Sequence, residues 1–116
     1  MNRQTQIAYR ISDKVIESLG VDKSRVFSTD KHKDVHVARM MIIYICHTEF
    51  NISVGNLSKI FKRTPRNIFY LCMKMKTNID TYNEDRELYK STLGYVKIDI
   101  LPHLNGVGFL CASEDC

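Results

Sequence analysis

Apolar residues recur at helical spacing through most of this chain, and the breaks between recurrences mark its joints. Ile7, Ile11, Val15, Ile16 and Leu19 predict a helix over residues 4–19 that stops at Gly20. Asp22 can cap a short helical turn that brings Val26 and Phe27 back to the core. Residues 28–34 are polar and read as a loop carrying Lys31, His32 and Lys33. A second long helix is expected from Asp34, its N-cap, to about Thr48. Val35, Ala38, Met41, Ile42 and Ile45 define one face, and Met40, Ile43 and Tyr44 make it apolar nearly all round. A helix of that kind is the buried axis of a small helical domain. His36 and Arg39 are polar exceptions near its start, and His47 stands near its end, where a charged imidazole suits the helix dipole.

Two shorter patterns follow. Ser53 caps a helix whose core face is Val54, Leu57, Ile60 and Phe61, with Lys59 and Lys62 outside it. After Arg63, Thr64 can cap the next helix and Pro65 suits its first position, where no amide donor is needed. That helix, from Pro65 to about Asn78, turns Ile68, Leu71, Cys72, Met75 and Ile79 inward. Asn67, Tyr70 and Lys74 share the opposite face, with Arg66 at the N-terminal end. The sequence thus specifies helix, tight turn, helix. Asn83 caps a further helix, with Glu84 and Asp85 in its first turn and Leu88, Tyr89 and Leu93 packing back, stopped at Gly94. From Tyr95 to Leu101 the pattern alternates like a strand, with Val96, Ile98 and Ile100 against Tyr95, Lys97 and Asp99, and Pro102 breaks it. The expectation is an all-α, compact five- to six-helix domain over residues 1–96 containing a helix-turn-helix, with an irregular tail over 97–116.

Charge changes the picture more than composition does. The chain has 116 residues, 44% hydrophobic and 26% charged, which fits one ordinary globular domain, and its net charge of +4 is only mildly basic. Its 17 Lys and Arg and 13 Asp and Glu are not mixed evenly. No acid occurs between Phe50 and Ile79, where Lys59, Lys62, Arg63, Arg66, Lys74 and Lys76 lie; removing these six leaves 11 cations against 13 acids. A helix-turn-helix with a purely basic surface points to DNA. Arg63, Thr64, Arg66 and Asn67 are the base-reading candidates, since Arg and Asn can pair bidentately with guanine and adenine edges. Lys59, Lys62, Tyr70 and Lys74 are the phosphate candidates.

Other chemistries find little support. Cys46, Cys72, Cys111 and Cys116 form no Cys-x-x-Cys pair, and a reduced, cytoplasmic protein is the natural reading. His103, Cys111 and Cys116 offer three ligands at irregular spacing where structural zinc takes four, so no metal or cofactor is expected. The longest apolar run, Met40 to Cys46, is far short of the ~20 residues of a membrane span. The Gly106-Val-Gly108 stretch has no following helix and no lysine–serine pair, so no nucleotide site is expected. Carboxylates are scattered, and the chain does not read as an enzyme.

Three segments carry a resemblance: Val37-Ala-Arg-Met-Met-Ile-Ile-Tyr44, Ser53-Val-Gly-Asn-Leu-Ser-Lys-Ile-Phe61 and Arg63-Thr-Pro-Arg-Asn-Ile68. With Ile16-Glu-Ser-Leu-Gly-Val-Asp22 upstream, their order resembles the C-terminal DNA-binding domain of the bacterial replication initiator DnaA from about Ile11 to Val96. The family's ATPase module has no counterpart here. The resemblance implies that Arg39 lies by the DNA backbone and that Lys31 and Lys33 belong to a basic loop approaching the minor groove. Where the family reads its box with Arg-Asp-His-Thr-Thr, only Arg63 is kept; Thr64, Pro65, Arg66 and Asn67 replace the rest. A different target on the same scaffold is therefore expected. The expected partner is double-stranded DNA, bound by a stand-alone regulator of transcription or replication. The alternative is a protein-interaction module on the same fold that docks another replication or regulatory protein through Phe69 and Met73. A third arrangement is a dimeric repressor whose tail strands pair across a two-fold axis.

Overall fold

The computed structural model describes residues 2–104, and side chains over 2–101. Within them lie six helices: α1 (Arg3–Leu19), α2 (Lys23–Val26), α3 (Lys33–Phe50), α4 (Val54–Phe61), α5 (Pro65–Thr81) and α6 (Asn83–Leu104). The domain is all-α, with no strand among the described residues. None of its described helices is long and apolar enough to cross a membrane.

The expected chain signals set most of the boundaries. Asn2, Asp22, Ser53 and Thr64 each accept a backbone N–H as N-caps of α1, α2, α4 and α5. Each satisfies a donor that the helix cannot. Gly20 ends α1 in the left-handed region at φ 69°, and its N–H reaches Ile16 O. The N-cap of α3 lies two residues earlier than expected. His32 occupies the cap position without a side-chain bond, and Asp34 sits in the first turn, where its charge suits the dipole. Its end lies two residues later than expected, at Phe50, because Asn51 adopts the left-handed conformation and both Asn51 and Ile52 donate to Cys46 O. Phe50 and Ile52 are buried on either side of that stop.

α3 is the axis. It packs against α1, α2 and α5, while α5 also meets α4 and α6, and α6 closes over α1. Val35, Ala38, Met41, Ile42, Ile43 and Ile45 are fully buried along α3, as its all-round apolar pattern requires. Phe27, from the end of α2, stacks on Phe61 of α4 with ring centroids 5.2 Å apart, which ties the loop side of the molecule to the helix-turn-helix. The first residues of the chain do similar work. Gln4 Oε1 accepts from the Ser53 N–H at 3.0 Å and from Asn56 Nδ2 at 2.7 Å at the start of α4.

The strand-like stretch from Tyr95 to Leu101 is helical, and α6 runs unbroken through Gly94 and Pro102. The expected boundary at residue 96 thus falls inside a helix, and the paired tail strands of a dimeric repressor have no strand at these residues. Residues 105–116 lie outside the described residues. Thr92, Val96 and Ile100 are buried at a spacing of four, whereas Ile98 is 79% exposed. The partner helix decides this. Against α1, Val96 and Ile100 fill the core while Asp99 pairs with Arg10 at 2.9 Å and Tyr95 Oη donates to Glu17. A lone strand would leave its backbone groups without a ladder.

Ile100→Ala should therefore destabilise the domain by about 2–5 kcal/mol in urea unfolding. Ile98→Ala should change it by no more than about 0.5 kcal/mol. Equal costs at the two positions would restore the strand register, in which both residues share a face.

Candidate nucleic-acid interface

The turn between α4 and α5 is Lys62, Arg63 and Thr64. Lys62 takes the left-handed conformation at φ 55° and ψ 48°, where most helices place glycine. The N–H groups of Lys62 and Arg63 both reach Ser58 O, and Ser58 Oγ donates to Arg63 O. Ser58 therefore binds the turn from both ends. Thr64 Oγ1 accepts from the Asn67 N–H at 3.1 Å, so this base-reading candidate is engaged as a cap.

The basic loop is built around two residues. Asp30 accepts from Arg25 Nε at 2.7 Å and from the His32 N–H at 2.8 Å, with His32 Nδ1 at 2.7 Å. The Arg25 guanidinium, with His32, holds the Asp30 carboxyl well below the usual carboxylate range. Arg39 is the second organiser. It is 1% exposed, its Nε donates to Val26 O at 2.9 Å, and its terminal nitrogen donates to the carbonyls of Arg25, Ser28 and Asp30. The expectation that Arg39 reaches a DNA phosphate is thus corrected. Its guanidinium faces inward and is occupied by carbonyls at the end of α2 and in the loop that follows.

The loop and the turn then meet. Arg63 donates to Ser28 O at 3.4 Å, and its Nε is buried with no partner. Asn67 Oδ1 is also buried without a partner, and the residue is half-buried rather than facing outward. Arg66 is exposed at the start of α5. One turn on, Tyr70 is 55% exposed with Lys74 Nζ 5.9 Å from its ring centroid. Lys33, His36 and Lys74 line one groove, which Glu84 and Asp85 also border. Lys31 and Lys62 are exposed beside this assembly in the chain. Lys59 is exposed one turn before Lys62 on α4, with no contact that joins it to the rest.

His36 is the member that sequence reading undervalued. Burial pushes its pKa below the ordinary 6.5, and Arg39, Lys74 and Arg63 push it the same way. All its resolved electrostatic neighbours are cations. Burial likewise lowers the Arg39 pKa, Arg63 adds to the effect, and Asp30 opposes it.

The ion pairs sort the charges of the molecule. Arg10, Lys14, Lys23, Arg25, Lys76, Lys90 and Lys97 each lie within 4 Å of a carboxylate. Among the described residues, the other ten form none: Lys31, Lys33, Arg39, Lys59, Lys62, Arg63, Arg66 and Lys74, together with Arg3 on α1 and Arg86 on α6. Eight of the ten belong to the loop, to the start of α3 or to the helix-turn-helix. The folded chain thus leaves most of this region's cations without carboxylates, and its positive charge is concentrated there.

Other chemistries gain nothing here. Cys46 and Cys72 are free and buried, and burial pushes both thiols up. No group of three or more metal-ligating side chains gathers among the described residues. The side chain of His103, and Cys111 and Cys116 altogether, lie outside them. No family model matches this chain, and no curated protein matches it.

Arg39→Ala strips the donors from several loop carbonyls and should cost at least about 1–3 kcal/mol in chemical denaturation. The amides of Asp30 and His32 should also exchange faster. Unchanged stability and exchange would mean that the guanidinium is free to leave the loop.

Proposed function

We propose that this domain binds double-stranded DNA through α4, the Lys62–Thr64 turn and α5, and acts as a regulator of transcription or replication. One observation carries the reading: of the ten cations without carboxylate partners among the described residues, eight belong to the helix-turn-helix, to the start of α3 or to the loop that Arg63 joins to it. α5 enters the major groove. Arg66 is the principal base reader, since Thr64 is engaged as a cap and Asn67 is half-buried. Arg63 lies at the junction of turn and loop, where it meets a phosphate or a base edge. Lys31, Lys33, Lys59, Lys62, Tyr70 and Lys74 grip the backbone, and His36 adds a donor to the same cluster. The resemblance of three segments to the DnaA C-terminal domain supports the same docking, with a target of its own because the reading residues differ.

A second reading is favoured by the exposure of Phe69 and Met73, at 55% and 44%. On that reading α5 docks another replication or regulatory protein and the cations serve as its rim.

The experiment is binding to random duplex pools at low and moderate salt. Affinity should fall with a slope of about 0.9 log units per phosphate neutralised. Absence of binding at low salt would remove the DNA reading. Arg66→Ala should relax base preference at one position and cost on the order of 1–3 kcal/mol. Lys33→Ala should weaken all sequences alike. If both variants bind as the parent does, α5 is not the reading helix.

Lys62 gives a separate check, because its backbone conformation and its charge make opposite demands. Lys62→Gly should raise stability by on the order of 1 kcal/mol by relieving the left-handed backbone. It should also weaken DNA binding and lower the salt slope by about 0.9. A more stable variant with undiminished affinity would remove Lys62 from the interface.

A further inference from the structure

α5 exposes two kinds of side chain. Arg66, Tyr70 and Lys74 are what a helix needs for guanine edges and phosphates. Phe69 and Met73 are not, yet both are exposed and stand one turn apart. At about 100° per residue, Arg66, Phe69, Tyr70 and Met73 fall within an arc of about 100°. Ile68, Leu71, Cys72, Met75 and Ile79, all buried, occupy the opposite side. These four residues therefore look straight out from the core, and Asn67 lies at the margin, in keeping with its partial burial.

An aromatic ring and a thioether on the outermost line of a DNA-reading helix must be desolvated against something. Polar base edges facing them would lose water without gaining a hydrogen bond, at a cost. The major groove offers one prominent apolar group, the 5-methyl of thymine. The cations around this line lack carboxylate partners, so the charge that surrounds the apolar pair is complementary to a phosphate backbone rather than to an ordinary protein face. We infer that Phe69 and Met73 contact thymine methyl groups, so that the preferred site carries thymines beside a guanine read by Arg66. This inference rests on the DNA reading and specifies its target.

The test uses the full chain. Duplexes enriched from a random pool are resynthesised with deoxyuridine for thymidine, a change that removes only the methyl groups. Affinity should fall about fourfold for each methyl contacted. Phe69→Ala and Met73→Ala, both at exposed positions, should bind the thymidine duplex more weakly than the parent does. Each should discriminate less between the two duplexes, with an unchanged salt slope. Enrichment of sites without thymine, no enrichment at all, or equal parental affinity for both duplexes would overturn the thymine contact while leaving DNA binding in place. Equal affinity would also turn the Phe69–Met73 patch toward a protein partner. Absence of binding to any duplex at low salt would overturn both the contact and the reading it rests on.

Discussion

The basic loop takes its shape from a guanidinium buried at the start of α3. Four carbonyls, from residues 25, 26, 28 and 30, converge on Arg39. Two come from the end of α2 and two from the irregular backbone that follows it. Removing a guanidinium from water is costly, and only a dense set of acceptors offsets it. The planar fork of arginine, permanently charged, can serve several acceptors at once, which a lysine cannot do as well. None of these acceptors is a carboxylate. The loop is therefore held without its central charge being neutralised, and that charge contributes to the field that lowers the His36 pKa. One interaction both shapes the loop and helps to keep the region positive.

Asp30 sets the limit of that field. It is the acid inside the basic loop, and its two oxygens are taken up by Arg25 and His32. Its charge is used to fold the loop, so Lys31 and Lys33 on either side of His32 remain without carboxylate partners among the described residues. The same economy appears in the turn. Ser58 supplies the bonds that fix it, and the left-handed residue is Lys62 rather than a glycine. Lysine there carries backbone strain that glycine would avoid, and it places a cation beside α5.

Much of the fold was legible because period, caps and stops agreed. Ser53, Thr64 and Pro65 announced the helix-turn-helix, and each stands where its chemistry requires. The stretch from Tyr95 to Leu101 was misread because Val96 and Ile100 lie four apart, a spacing that suits a strand face and a helix face alike. Only Ile98 separates the two, by its exposure, and exposure depends on whether α1 is there to cover one side. Gly94 was read as a stop, yet a glycine inside a helix costs only about 1 kcal/mol relative to alanine. The burial of Val96 and Ile100 outweighs that.

The candidate interface divides in the same way. Helix type, turn position and the absence of acids from 50 to 79 are local properties, written into residue order, and the sequence determined them by itself. Which cations lack carboxylate partners was decided only by the tertiary structure, because a charge is neutralised by whatever lies within a few ångströms in space. Arg39 and Arg63 are alike in sequence, each an arginine near a helix start. Packing turned the first inward to hold a loop and left the second at the junction of loop and turn. His36 became part of the cluster, and Asn67 partly left it, for the same reason. Helix rotation against α3 and α5 sets which side chains see solvent, and no spacing rule fixes that rotation to within one residue.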